Sequence, residues 1–261
     1  MTENASTIRN SPEAQAGKLA TVIYPSVLKP HARGFYNSDS LWEKRLQKTI
    51  LKEQPIQFIG FWGIGVKQRP NQHDENLLSE YEAIGEAVTK NYSKGVDIRL
   101  ILANTHGRFN GYQDFDEYLE QISIDASRRG IKSIALDDLY REWDIQLPNA
   151  TIPANRESPE WLEFTSNLER EAEIQRDHKR GSRRFTQLVE SASKHSQAGI
   201  EPIEAAFYYW IMRQRESTPL SQTFPNGILF INGSDDLGRI TLPLDMPHMY
   251  SRIGPVWFQH D

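Results

Sequence analysis

The run IQFIGFW, Ile56 to Trp62, carries no charge and sits between Pro55 and Gly63. It is too short for a buried helix and lacks the alternation of a half-exposed strand, so it predicts a β-strand covered on both faces. IRLILA, Ile98 to Ala103, is a second such run, and Lys132–Leu136 a third candidate strand. Between the first two, Leu77, Leu78, Tyr81, Ile84 and Val88 recur at threes and fours from Asp74 to the breaker Gly95, which predicts a helix. A second helix is expected from near Asp114 to Gly130, a suitable residue just past a helix end. Strand, helix, strand, helix, strand in that order requires crossover connections and a parallel sheet. The fold class expected is α/β, a Rossmann-like three-layer core with parallel strands, a helical lobe and a C-terminal β-hairpin.

Ahead of the first strand, Leu41, Trp42, Leu46 and Ile50 mark a helix over Ser40–Glu53, with Ser40 and Glu43 in capping-box spacing and Pro55 ending it. Residues 1–18 are polar and aperiodic and read as a disordered arm, 19–144 as the core, and 145–261 as the helical lobe and hairpin completing the sheet. In the lobe, Ser158 and Pro159 suit the N-cap and first position of a helix. Gly181 and Gly199 bracket another, and Pro202 begins a third, EAAFYYWIMRQRE, near whose end Glu216 lies as a polar group suited to facing a pocket. The cluster Phe207–Trp210 reads as core. NGILFIN and RITLPL form a hairpin that adds antiparallel strands to the same sheet.

Composition narrows the chemistry. Thirty Lys and Arg against thirty-five Asp and Glu give a net charge of -5, so bulk electrostatics favour neither nucleic acid nor an anionic membrane. No apolar run is long enough to span a bilayer, and the first twenty residues lack the apolar core of a secretory signal, so a cytoplasmic protein without membrane association is expected. The absence of cysteine removes disulfides, thiolate nucleophiles and Cys-ligated metal sites. The seven histidines show no HxH, HxxxH or HExxH spacing, so no dedicated metal site is expected, and any chemistry falls to Lys, His, Asp, Glu, Ser, Tyr or a bound cofactor.

Ligands of open parallel sheets bind where loops leave the carboxyl ends of the strands. Three segments qualify here. Gly63–His73 offers two glycines with Lys67, Arg69, His73 and Asp74 before a helix start, which suits a phosphate or carboxylate. A plain turn with Asp74 as N-cap fits equally. Asn104–Tyr112, expected to be a loop, gathers Asn104, Thr105, His106, Arg108, Asn110 and Tyr112, either as binding groups or as a turn with its asparagines in left-handed positions. Asp137 and Asp138 fit a metal pair or a general base, but adjacent acids after a strand favour a helix cap. The basic stretch Arg176–Arg184 is interleaved with acids and reads as a solvated helix face, the alternative being phosphate or RNA docking.

PIQFIGFWGIGVKQRPNQHDENLLSEYEAI, YSKGVDIRLILANTHGRFNGY and IKSIALDDLY together resemble the isocyanide synthases of pyoverdine and dityrosine biosynthesis. Pro55, Ile56, Lys67, Asp74, Tyr92, Gly95, Gly107 and Arg108 fall in the family's order, over roughly residues 41–141, and RITLPL with GPVWF is similar to its closing strand. The chain departs from the pattern at Gln68, at His106-Gly107 and at Pro255-Val256-Trp257. The resemblance implies a biosynthetic enzyme condensing the amino group of an amino acid with the ketone of a pentulose phosphate, without a redox cofactor. It makes Lys67, Asp74 and His106 the catalytic candidates, with His106 and Asp74 in acid–base roles. Arg69, Asn104, Arg108, Asn110, Tyr112 and Glu216 are the substrate-binding candidates, Lys67 and Arg69 holding phosphate with Arg108 assisting. The Lys67 and His106 segments are expected to share one pocket. YYWIMRQRESTPL followed by FPNGI looks like the cyclodipeptide synthases, which would make aminoacyl-tRNA the partner, although their nucleophilic serine has no counterpart in GFWGIG. A non-catalytic small-molecule-binding module is the third reading.

Overall fold

The structure is a computed structural model that describes residues 13–14, 16–17, 46–62, 69–109, 115–149, 152–166, 201–225, 227–231 and 239–243. They fall into two units. The first comprises the described residues up to Asn104, those from 115 to Leu136 and those from Phe224 onward; the second holds Thr105–Phe109 and Asp137–Thr223.

In the first unit, helix α1 (46–51) precedes β1 (Ile56–Trp62). Helix α2 (Gln72–Asn91) connects β1 to β2 (Val96–Leu102), and α4 (Asp116–Arg128) leads to β3 (Lys132–Ala135). Strands β4 (Gly227–Ile231) and β5 (Arg239–Pro243) complete a five-stranded sheet of order β3-β2-β1-β4-β5. Phe58 pairs with Ile98 and Gly60 with Leu100 in the parallel ladder expected for these two runs. Six of the seven β1 residues are buried, which requires cover on both faces of the sheet. The hairpin joins this sheet, antiparallel within itself, but its first strand is parallel to β1. Only β5 runs against the others, because the chain re-enters from a helix rather than from a neighbouring strand.

Side chains set the helix ends. Asn71, not Asp74, is the N-cap of α2: its side chain accepts from the His73 and Asp74 amides while Asp74 Oδ2 accepts from the Asn71 amide at 2.9 Å. Past the end of α4, Gly130 takes φ +72, a conformation costly for any residue with a Cβ. The packing includes one close approach: a Cβ on Gly60 would meet Tyr81 Cζ at 2.9 Å and Leu100 Cδ2 at 3.0 Å.

Asp97 on β2 takes hydrogen bonds from Arg99 and Lys132. Burial alone would raise its pKa, but these two cations outweigh it and hold the carboxyl below its ordinary value. A lowered folded-state pKa gives stability that is present above the unfolded value of about 3.9 and is lost as pH falls through the folded one. Denaturant melts between pH 7 and pH 3 are therefore expected to show a shallower acid loss for Asp97→Asn than for the wild type. Equal slopes would assign the acid sensitivity elsewhere.

In the second unit, Ser158 Oγ accepts from the Trp161 amide at 3.1 Å, capping helix α6 (159–166) as its sequence implies. Ser158→Ala is expected to cost about 1 kcal/mol in a denaturant melt. Helix α7 (Pro202–Thr223) runs through Pro219, longer than its sequence suggests, so Glu216 is interior to it rather than near its end. Leu220, with no exposed surface, supplies packing that offsets the missing backbone bond. Trp161, Phe164, Phe207, Tyr208 and Trp210 form an aromatic core, with Trp161 edge-on to Phe207 at 4.9 Å. Ser40, Glu43, the Gly181–Gly199 helix, Arg176–Arg184 and Pro255–Trp257 lie outside the described residues.

Candidate functional site

Asn104–Phe109 is helical, α3, where the glycines and asparagines of the wider segment Asn104–Tyr112 predict a loop. A glycine inside a helix costs about 1 kcal/mol relative to alanine. Tertiary ties offset that cost: Thr105 and His106 are buried and hydrogen-bonded, and Phe109 packs against the aromatic core. The segment after β3 is likewise a helix, α5 (Leu136–Glu142), with Asp137 and Asp138 in its first turn. They lie within the first turn of this helix rather than at the capping position ahead of it, where the sequence placed them.

His106 and Glu216 meet. Nε2 of His106 lies 2.5 Å from Oε1 of Glu216, with the His106 side chain 8% exposed and that of Glu216 0%. The Tyr140 hydroxyl donates to the same carboxylate oxygen at 2.6 Å. A carboxylate on one ring nitrogen fixes the imidazole's tautomer and plane. Next to this group, Thr105 Oγ1 donates to Asp137 Oδ1 at 2.5 Å, and the Arg108 guanidinium pairs with Asp137 Oδ2. The pairing of Leu102 with Ala135 explains why: segments leaving adjacent parallel strands start side by side, so Thr105 and Asp137 come within reach.

The remaining candidates separate. Asp74, in the first unit, is 3% exposed and braces the start of α2: besides the Asn71 amide it accepts from the Tyr118 hydroxyl at 3.0 Å. Trp62 Nε1 donates to that hydroxyl at 2.9 Å, completing a buried chain. Burial and the Asp74 charge push the Tyr118 hydroxyl's pKa up, so it stays a neutral donor. Arg69 is exposed on the first unit, and Asn104 is buried at its edge with β2. Lys67, Asn110 and Tyr112 lie outside the described residues, and with Lys67 the expectation of a pocket shared with His106.

Two members of the polar group went unselected by sequence reasoning. Tyr140 follows a double acid in a short amphipathic stretch, and nothing local distinguishes it from core. Asp137 carried a signal, since an acid just beyond a strand end stands where neighbouring segments converge. Among the described residues, no three His, Asp or Glu gather as a metal site, and no helix is long and apolar enough to cross a membrane.

No family model matches the chain, and no curated protein does. Among solved structures, the crystal structure of the PvcA protein from Pseudomonas aeruginosa is a remote likeness. It has 16% identity and a TM-score of 0.49, covering 88% of this chain and 81% of that one.

Proposed function

We propose that this protein is a biosynthetic enzyme in which His106, held by Glu216, moves protons while the amino group of an amino acid condenses with the ketone of a pentulose phosphate. The observation that carries the acid–base half is the buried 2.5 Å contact between residues 110 positions apart in the chain. An imidazole both takes and gives a proton, and a carboxylate partner that holds the ring suits it to both halves of an addition–elimination. The substrate half rests on the sequence resemblance.

His106 takes one proton from the substrate ammonium. The freed amine pair forms the nitrogen–carbon bond as the carbonyl electrons move to oxygen, and a nitrogen proton passes to that oxygen. The imidazolium then protonates the hydroxyl, which leaves as water, and a protonated imine remains. Glu216 holds the imidazole throughout, and Arg108, with its side chain 48% exposed beside Asp137, is a cation for an anionic substrate group.

Incubation with amino acids and ribulose 5-phosphate in the presence of cyanoborohydride should trap, faster than without the protein, a secondary amine identified by mass, and without the trap should form an adduct one water lighter than the sum of the two substrates. Absence of both products with every amino acid, together with salt-sensitive tRNA binding that charge reversal at Lys179, Arg180 and Arg183 abolishes, would replace this reading with an aminoacyl-tRNA-dependent one.

A further inference from the structure

We infer that Asp137 is a positioning residue for His106: by holding Thr105 and Arg108, its carboxylate fixes the short helix that presents the imidazole to Glu216. The inference rests on the acid–base role just proposed for His106.

Helix α3 has six residues, fewer than two turns, with Gly107 in its interior. A helix so short does not hold its own geometry, so its orientation comes from what its side chains grip. Successive residues point about 100° apart around a helix, so Thr105 and Arg108 lie about 60° from each other, while His106 points about 100° from Thr105, away from Arg108. Asp137 therefore grips one side of α3, through Thr105 Oγ1 at 2.5 Å and the Arg108 guanidinium, while Glu216 meets the other through His106.

The ties close on themselves. Helix α5 holds α3 through Asp137, and three residues later the same helix holds α7 through the Tyr140 hydroxyl on Glu216. Helix α7 returns to α3 through Glu216 and His106. Each pair of helices thus has its own polar link. Cutting the Asp137 link leaves the imidazole tied to Glu216 but releases the backbone that carries it, so the ring loses its fixed approach. A misplacement of about 1 Å in a reacting group can cost about 100-fold in rate without loss of substrate binding.

The test uses the full chain labelled with 15N-histidine, the His106 ring signals being assigned by their loss in His106→Gln. Asp137→Ala is expected to shift or broaden those signals and to lower kcat about 10- to 100-fold, and Thr105→Val, which leaves the Arg108 pair in place, to do so with KM changed less than about threefold. Asp137→Asn, which keeps an acceptor for Thr105, should recover part of both. Thr105→Val cuts the same link without removing a charge and decides the matter if Asp137→Ala does not fold. Unchanged His106 signals in a folded variant overturn the inference whatever the activity, and changed signals with unchanged kcat overturn it as positioning. A wild-type protein with no turnover removes the proposed reaction instead, and the ring signals alone then decide whether Asp137 fixes His106.

Discussion

Glu216→Gln is expected to lower turnover by about 10²- to 10⁴-fold while leaving the melting temperature close to that of the wild type. The amide keeps an oxygen where His106 and Tyr140 donate, so the packing of the buried group survives. What it loses is the negative charge that steadies an imidazolium. Glu216→Ala behaves differently, because it takes the shared acceptor from two buried donors. It is expected to cost roughly 2–5 kcal/mol in a denaturant melt as well as the activity. Steady-state kinetics and melts on the two variants separate the roles. Full activity in the glutamine variant would remove Glu216 from the chemistry and leave it a structural acid.

Gly60→Ala is the second large effect, and it acts on the first unit. The added methyl would strike the Tyr81 ring and hydroxyl and Leu100, which are 1% and 0% exposed and have nowhere to go. Overpacking of this kind costs about 1–3 kcal/mol, and the rigidity of both neighbours places this change toward the upper end. Because the nearest atom is the tyrosine oxygen, Tyr81→Phe should recover part of the loss. The double variant is expected to be more stable than the sum of the single effects allows, by about 0.5–1 kcal/mol. Strict additivity would show that Gly60 and Tyr81 do not meet as described.

The strands and long helices were legible because their physics is local. Ile56–Trp62 declares a doubly covered strand by its uncharged, aromatic and β-branched run, and Ser158-Pro159 a helix start by its hydroxyl and fixed φ. The candidate site was legible by residue type at His106 and Glu216 but not by partnership, since 110 residues separate them. Helix α3 was read as a loop because Gly107 and two asparagines outweigh helix propensity locally, whereas the ties from Asp137 and Glu216 that reverse the balance are tertiary. Asp74 suited a catalytic acid by sequence. Its environment makes it the brace of a capping box, a role that depends on Tyr118 arriving from another helix.

The sheet order has a consequence for how the protein is made. Strand β1 lies at the centre, yet its pairing from Gln57 to Gly227 joins residues roughly 170 apart, with every described helix of the second unit translated between them. At about 5–20 residues per second, the β4-facing edge of β1 stays open for on the order of 10–30 s after β1 leaves the ribosome. That edge belongs to a strongly apolar run and invites pairing with the wrong strand for as long as it is bare. Yield in cells should accordingly depend on translation speed and on chaperones that shield nascent strands, even for variants whose finished fold is fully stable.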